Sequence, residues 1–244
     1  TGSGSNPSPV TDGNHLFLYY KSGALVALDL NGKKIWEKNL QEEFGKDTLW
    51  WDLGTSPVLT SELVVIAVMQ EYEGGDPVKA QDSYLVAYSK NTGKMAWKTN
   101  RTYKVKAETG QSYTTPLVVM KEGKEVIITF GSDHLTAHTA EDGKLLWDCG
   151  GYNPGDKAMW RVIASPSISK DIVVVPYGRK GHFAAVKAEG EGDITKTNRL
   201  WTKDVGADVP SPIAHGDKAY LITDRGHIYC FDLESGDQIW DQKL

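Results

Sequence analysis

The sequence predicts an all-β fold: a β-propeller of four-stranded antiparallel blades, five of them in 244 residues. Three markers that recur in fixed order predict it. The first is a tryptophan, at Trp36, Trp97, Trp147, Trp201 and Trp240, with steps of 39 to 61 residues. The second is a Ser/Thr-Pro pair upstream of each tryptophan: Ser8-Pro9, Ser56-Pro57, Thr115-Pro116, Ser165-Pro166 and Ser211-Pro212. Between them lies an apolar, β-rich run, in copies Leu16 to Tyr20, Leu63 to Val68, Val126 to Phe130, Ile172 to Val175 and Ala219 to Ile222. Units of this length carrying a periodic aromatic are the mark of propeller blades.

Each unit reads as four strands. Strand A starts at Ser/Thr-Pro, where a proline costs no ladder donor. Strand B is the apolar run, short and without a helical period. Strand C is a Leu/Ile-x-Ala segment in most units, with Cys230 in place of alanine in the last. A turn containing glycine follows at Asn31-Gly32, Thr92-Gly93, Asp142-Gly143 and Ser235-Gly236. Strand D then ends on tryptophan. The approximate blades are 1–43, 44–103, 104–152, 153–204 and 205–244. No stretch carries a 3.6-residue period, so almost no helix is expected. The five tryptophans are expected to fill the gaps between blades, each indole over the next blade's glycine turn with its N–H bonded to backbone.

Composition narrows the function classes. With 27 Lys+Arg against 32 Asp+Glu the formal net charge is −5, which offers no basic footprint for nucleic acid or an anionic membrane surface. The longest apolar run, Leu63 to Met69, is far short of the roughly 20 residues that span a bilayer. No signal peptide is seen; Thr1 to Asn6 reads as a linker or an artificial boundary. Two cysteines make no disulfide framework.

The pattern Ala-x-Asp-x-x-x-Gly-x-x-x-Trp resembles the tryptophan-docking motif of pyrroloquinoline-quinone (PQQ) repeat propellers. Ala137 to Trp147 keeps its length with Thr139 at the Asp position, and Ala87 to Trp97 keeps it with Ser89. Cys230 to Trp240 keeps Asp232 but replaces the alanine, and Ala27 to Trp36 has Asp29 but is one residue short. The fourth unit, Ala185 to Trp201, is expanded by Glu189-Gly-Glu-Gly-Asp-Ile-Thr195. The likeness covers essentially the whole chain, which is most similar to secreted bacterial PQQ-like propellers. The wider family includes quinoprotein dehydrogenases and the lipoprotein subunit of the outer-membrane β-barrel assembly machine. The resemblance implies an extracytoplasmic location and a ring of about eight blades. Five units then read as a fragment of such a ring, in preference to a small five-bladed one.

Function is expected at the channel mouth. The D-to-A and B-to-C connections share one face, and the segments before strand A approach the axis. Trp51, Asp52, Gln111, Tyr113, Trp160, Arg161 and Asp208 all fall within six residues before a strand-A Ser/Thr-Pro. The blade scaffold needs none of them, and variable polar and aromatic residues on a fixed scaffold are how loops carry function. They form the candidate ligand site; in the competing reading the tryptophans cap the channel wall and Arg161 pairs with Asp52 or Asp208.

Other groups carry less. His134, His182 and His227 occupy the end of the B-to-C turn in three successive blades, roughly 10 Å apart, too far to share a zinc ion, and are expected to bond local backbone. Cys149 and Cys230 lie in different blades and read as buried free thiols. The acidic run Glu71 to Asp76 lacks EF-hand spacing and reads as a solvated loop. There is no Gly-x-Ser-x-Gly elbow, P-loop or His-Glu-x-x-His.

The expected function is therefore a non-catalytic extracytoplasmic propeller that binds a protein or a small polar ligand at the channel mouth, without cofactor. The alternative is a quinoprotein-like dehydrogenase or another enzyme. By resemblance the quinoprotein needs PQQ, Ca²⁺ and an acidic base, and commonly a vicinal Cys-Cys; the two cysteines here are 81 positions apart.

Overall fold

A computed structural model describes residues 6–71 and 81–244. Strand takes up 47% of the chain and helix 4%, so the all-β expectation holds. The first blade is β1 (Val10–Thr11), β2 (His15–Tyr19), β3 (Ala24–Asp29) and β4 (Lys34–Asn39), followed by a short helix α1 (Leu40–Phe44) that Asn39 caps. The second is β5 (Val58–Leu59), β6 (Leu63–Val68), β7 (Tyr84–Ser89) and β8 (Met95–Asn100), and a 3₁₀ turn follows at Ala107–Gly110. The third is β9 (Leu117–Lys121), β10 (Lys124–Gly131), β11 (His134–Thr139) and β12 (Leu145–Cys149). The fourth begins with β13 (Ser167–Ser169), β14 (Ile172–Tyr177) and β15 (His182–Lys187). After an excursion through β16 (Gly192–Asp193) it closes with β17 (Arg199–Lys203). The fifth is β18 (Ile213–His215), β19 (Lys218–Ile222), β20 (His227–Asp232) and β21 (Gln238–Lys243). Within each blade consecutive strands pair antiparallel, and each strand A starts one residue past its proline.

The repeat motif works through register. Ala27, Ala87, Ala137, Ala185 and Cys230 each pair directly with the tryptophan of their own blade, and a β-bulge follows each at the next residue. The small side chain leaves room for the indole, and the bulge turns the strand as it enters the C-to-D turn. The indole then reaches the next blade. Trp36 Nε1–H donates to the carbonyl of Lys90 at 2.8 Å, Trp97 to Ala140 at 3.0 Å and Trp201 to Leu233 at 3.0 Å. Each ring lies on a glycine: a Cβ built at Gly93, Gly143 or Gly236 would come within 2.5–2.7 Å of the indole.

The fourth blade departs from this scheme, since its expanded C-to-D connection has no glycine turn for Trp147. Instead Gly192 and Asp193 of the insertion run parallel to β12, pairing with Trp147 and Asp148 and adding a fifth strand to the third blade. Ile194 and Ala188 are buried in the same cluster as Trp147.

The hydrophobic core is divided into four clusters, one at each junction between successive blades. Interior strands such as β14 are buried along their whole length, whereas β2 and β19 alternate, because the end blades are covered on one face only. Trp240 is 43% exposed, and open space surrounds Gly32 where an indole would lie. The five blades therefore do not close on themselves as a five-membered ring.

Candidate functional site

The segments before strand A of the second to fifth blades contact one another. Ser112 bridges Met69 on one side and Val162 on the other, and Tyr113 N–H donates to the Val162 carbonyl at 2.9 Å. This inner backbone belt holds the mouth together across the second, third and fourth blades.

Glu108, in the 3₁₀ turn, is the centre of the site. It is 1% exposed, and its Oε1 accepts from Arg161 Nη1 at 2.9 Å and from Trp51 Nε1 at 3.2 Å. Its Oε2 lies 3.5 Å from Arg179 Nη1. Arg161 Nη2 and Arg179 Nε also approach Asp208 Oδ2, at 3.7 and 4.0 Å. Two carboxylates thus face two guanidiniums, and the cluster is close to neutral. A buried carboxylate without such partners would carry a desolvation cost of several kcal/mol. Arg161 does pair with Asp208; Asp52 pairs instead with Lys21, from the B-to-C turn of the first blade.

Gln111 is fully buried. Its Oε1 accepts from Tyr113 Oη at 2.6 Å and from Trp50 N–H at 3.2 Å. Burial pushes the Tyr113 phenol up to about 12, so it stays a neutral donor. The successive residues Trp50 and Trp51 are 49% and 57% exposed, with Trp50 Nε1 donating to Glu71 Oε2 at 2.8 Å. Trp160 stands apart from the charged cluster. Its ring lies against Gly178 and His182, with Lys157 Nζ 4.4 Å above it, while its backbone N–H donates to Thr109 Oγ1.

Five of the seven expected residues are thus tied into one network through Glu108 and Gln111: Trp51, Gln111, Tyr113, Arg161 and Asp208. Sequence reasoning missed Glu108, which lies seven residues before Thr115-Pro116, and Arg179, which sits in a B-to-C turn. The shared face of D-to-A and B-to-C connections was the signal that could have found Arg179. The same face carries Lys21 and Asp224, whose carboxylate accepts from the backbone N–H groups of Asp208 and Val209.

Four buried side-chain atoms at this mouth have no hydrogen-bond partner: Asp52 Oδ2, Glu108 Oε2, Gln111 Nε2 and Arg161 Nε. Among the described residues only three further atoms share that condition. Buried polar atoms are normally satisfied, so a cluster of exceptions calls for a ligand or ordered water. A cavity of about 830 Å³ lies elsewhere, among A-to-B and C-to-D turns on the opposite face. Its rim carries Glu62, Glu125, Glu141 and Glu191, and none of its lining residues has an unpartnered buried atom.

The turn histidines correct the sequence reading. They face a carboxylate on or just after strand D of their own blade, not backbone: His134 bonds Asp148 at 2.5 Å and His227 bonds Asp241 at 2.6 Å, while His182 lies 3.2 Å from Asp204 without a hydrogen bond. Strands C and D are antiparallel neighbours, so the start of one lies beside the end of the other. Cys149 and Cys230 are free, buried and in separate blades. Of the acidic run, Tyr72 to Asp76 lies outside the described residues.

The family profile described as outer membrane protein assembly factor BamB, a PQQ-repeat family, matches residues 1–242. This chain belongs to that family. BamB from Moraxella catarrhalis superposes with a TM-score of 0.64 at 15% identity, over 99% of this chain and 64% of that one. The quinohemoprotein alcohol dehydrogenase ADHIIG from Pseudomonas putida HK5 gives 0.67 at 15% identity, over 99% and 42%. The computationally designed Ika8 protein gives 0.60 at 12%, over 97% and 61%. No curated protein matches the sequence. At these identities the likeness is one of fold, and this chain spans less than two thirds of each relative's length. Among the described residues no helix is long and apolar enough to cross a membrane.

The resemblance to quinoprotein dehydrogenases raises the question of a quinone with Ca²⁺. The mouth does not fit that pair. Its carboxylates, the buried Glu108 and the partly buried Asp208, are already matched by Arg161 and Arg179, and a divalent cation set beside two guanidiniums would be repelled.

Proposed function

We propose that this chain is an extracytoplasmic binding module without catalysis of its own, whose channel mouth receives a polar ligand or a segment of a partner protein. The observation that carries the reading is the set of unpartnered buried atoms at Asp52, Glu108, Gln111 and Arg161, two acceptors and two donors. Leaving such groups unmade costs about 1–3 kcal/mol each. A bound polar molecule recovers that energy, and the exposed faces of Trp50 and Trp51 add apolar area beside it. Glu108 and Asp208 are committed to ion pairs, and Tyr113 is held far from a working pH, which favours binding over acid–base chemistry. The family description, with its role in outer membrane protein assembly, supports a location outside the cytoplasm and a protein partner as one form of the ligand.

The test is intrinsic tryptophan fluorescence during titration with a library of peptides, sugars and small polar metabolites. Saturable quenching by one class, lost in an Arg161→Ala, Trp51→Ala double variant, is the expected result. Equal quenching in both proteins, or none with any class, ends the reading.

A further inference from the structure

We infer that the mouth recognises a neutral saccharide, an inference that rests on the binding role proposed above. Three independent features of the site converge on that chemistry.

The first is a rigid aromatic platform. Trp50 and Trp51 are adjacent and about half exposed, yet neither indole is free to turn, because each N–H is anchored to a buried carboxylate, Glu71 or Glu108. Their ring faces remain available. A pyranose presents a patch of C–H groups that suits the electron-rich face of an indole. A preordered ring also spares the entropy of fixing a side chain on binding.

The second is charge. Glu108 and Asp208 are balanced by Arg161 and Arg179, and Asp52 by Lys21. Of the two other carboxylates at the mouth, Glu71 is engaged by the Trp50 indole N–H and Asp224 by the backbone N–H groups of Asp208 and Val209, so no cation stands without a carboxylate partner in this set and recognition by hydroxyl groups is favoured over an anion.

The third is the mixture of unpartnered atoms. Gln111 Nε2 and Arg161 Nε lack acceptors and Asp52 Oδ2 lacks a donor, while Glu108 Oε2 faces Arg179 at 3.5 Å without a hydrogen bond and can still accept one. A hydroxyl does both, and a sugar ring carries several around one edge. The platform and these atoms are also contiguous. Trp51 is hydrogen-bonded to the carboxylate that carries Glu108 Oε2, and Trp50 N–H to the amide that carries Gln111 Nε2. A peptide would match the donor and acceptor mixture only through its backbone, and peptides usually gain that match by adding a strand to a free edge. The inner belt offers none at Ser112, which is bridged by Met69 and by Val162 on its two sides.

The experiment is calorimetric and fluorescence titration of the 244-residue chain with maltohexaose, cellohexaose and chitohexaose as neutral probes. Hexagalacturonate, a chitosan hexamer and a pool of unstructured peptides serve as charged and polymeric comparisons. At least one neutral probe is expected to bind saturably and the charged sugars at least tenfold more weakly. Trp51→Ala, at an exposed position that leaves folding intact, should weaken binding about tenfold, and Gln111→Ala should do so as well. Failure of all three neutral probes overturns the inference, as does binding undiminished by Trp51→Ala. Peptide binding that Arg161→Ala abolishes, with no sugar bound, overturns the saccharide and leaves the mouth as a binding site. Silence from every probe removes both.

Discussion

The backbone N–H of Thr115 donates to the hydroxyl of Ser165, in the next blade, at 2.9 Å. The same bond is made from Ser8 to Ser56 at 2.9 Å, from Ser56 to Thr115 at 3.1 Å and from Ser165 to Ser211 at 2.9 Å. Every Ser/Thr of the Ser/Thr-Pro series therefore belongs to one relay of hydrogen bonds that steps from blade to blade. The proline marks the start of strand A, and the hydroxyl before it receives the preceding blade. That explains why the position admits serine and threonine alike: the bond needs only an oxygen on Cβ.

Removing that oxygen should loosen one junction. Ser165→Ala leaves the half-buried Thr115 N–H without its acceptor and should cost about 1 kcal/mol, while Ser165→Thr should be close to neutral. Urea unfolding of the two variants measures the difference. Equal midpoints for the alanine and threonine forms would show that the relay contributes nothing.

The tryptophans should separate into two kinds. Trp97 is buried against Gly143 and anchored to Ala140, so Trp97→Ala should cost about 3–5 kcal/mol. Gly143→Ala should also destabilise by more than about 1 kcal/mol, because φ there is +72° and the added methyl would press on the indole. Trp240 has the same place in its blade but no covering turn, so Trp240→Ala should cost less than about 1 kcal/mol. Similar losses at Trp97 and Trp240 would contradict the open end of the stack.

These contrasts show which parts of the molecule were legible beforehand. The blade count and the tryptophan docking were legible because they repeat the same contacts at three of the four junctions, whereas strand D runs two or three residues past each tryptophan where the sequence reading ended it. The mouth does not repeat. Trp51, Gln111 and Arg161 could be indexed because each precedes a strand A, but Glu108 organises them only through contacts that reach to other blades. Nothing local to Glu108 marks it, since its burial depends on the meeting of three loops. The histidines were misjudged for the opposite reason. Their partners are in register across one antiparallel strand pair, which the strand assignment already implied.

Two groups of the third blade, the buried His138 and the partly buried Asp133, should oppose one another in their pH dependence. Burial, aided by the nearby Arg101 charge, depresses His138 to about 4, and its ring nitrogens lie 3.1 Å from Gly143 O and Thr136 Oγ1. Burial raises Asp133 to about 7. Between about pH 4 and 6.5 the unfolded chain takes up a proton at His138 that the native state refuses, so this term makes stability rise with pH. Over the same range native Asp133 keeps a proton that the unfolded chain releases, so its term makes stability fall with pH. In the wild type these two terms nearly cancel. Asp133→Asn should expose the histidine term, a gain of about 3 kcal/mol from pH 4 to 6.5. His138→Gln should give a slope of the opposite sign. Denaturant unfolding at half-unit pH steps reads both, and parallel curves for the two variants would refute the pairing.

The insertion of the fourth blade provides a last test, because a surface excursion is not where a core residue is usually sought. Trp147 lacks the glycine turn that receives Trp36, Trp97 and Trp201, yet it is buried. Its cover comes from residues 188–195. Gly192 pairs with it, Ile194 N–H donates to the Asp148 carbonyl at 2.8 Å, and Thr195 Oγ1 accepts from Gly150 N–H at 2.8 Å. These bonds fold the insertion back onto β12 and place Ile194 in the cluster around Trp147. Ile194→Ala should therefore behave as a core truncation and cost about 2–4 kcal/mol. The same change at Ile239, 49% exposed, should cost less than about 1 kcal/mol. Near-ultraviolet circular dichroism should change with Ile194→Ala and not with Ile239→Ala, because only the first loosens an indole. An Ile194→Ala protein as stable as the wild type would mean that the insertion is dispensable and that Trp147 is held by its own blade alone.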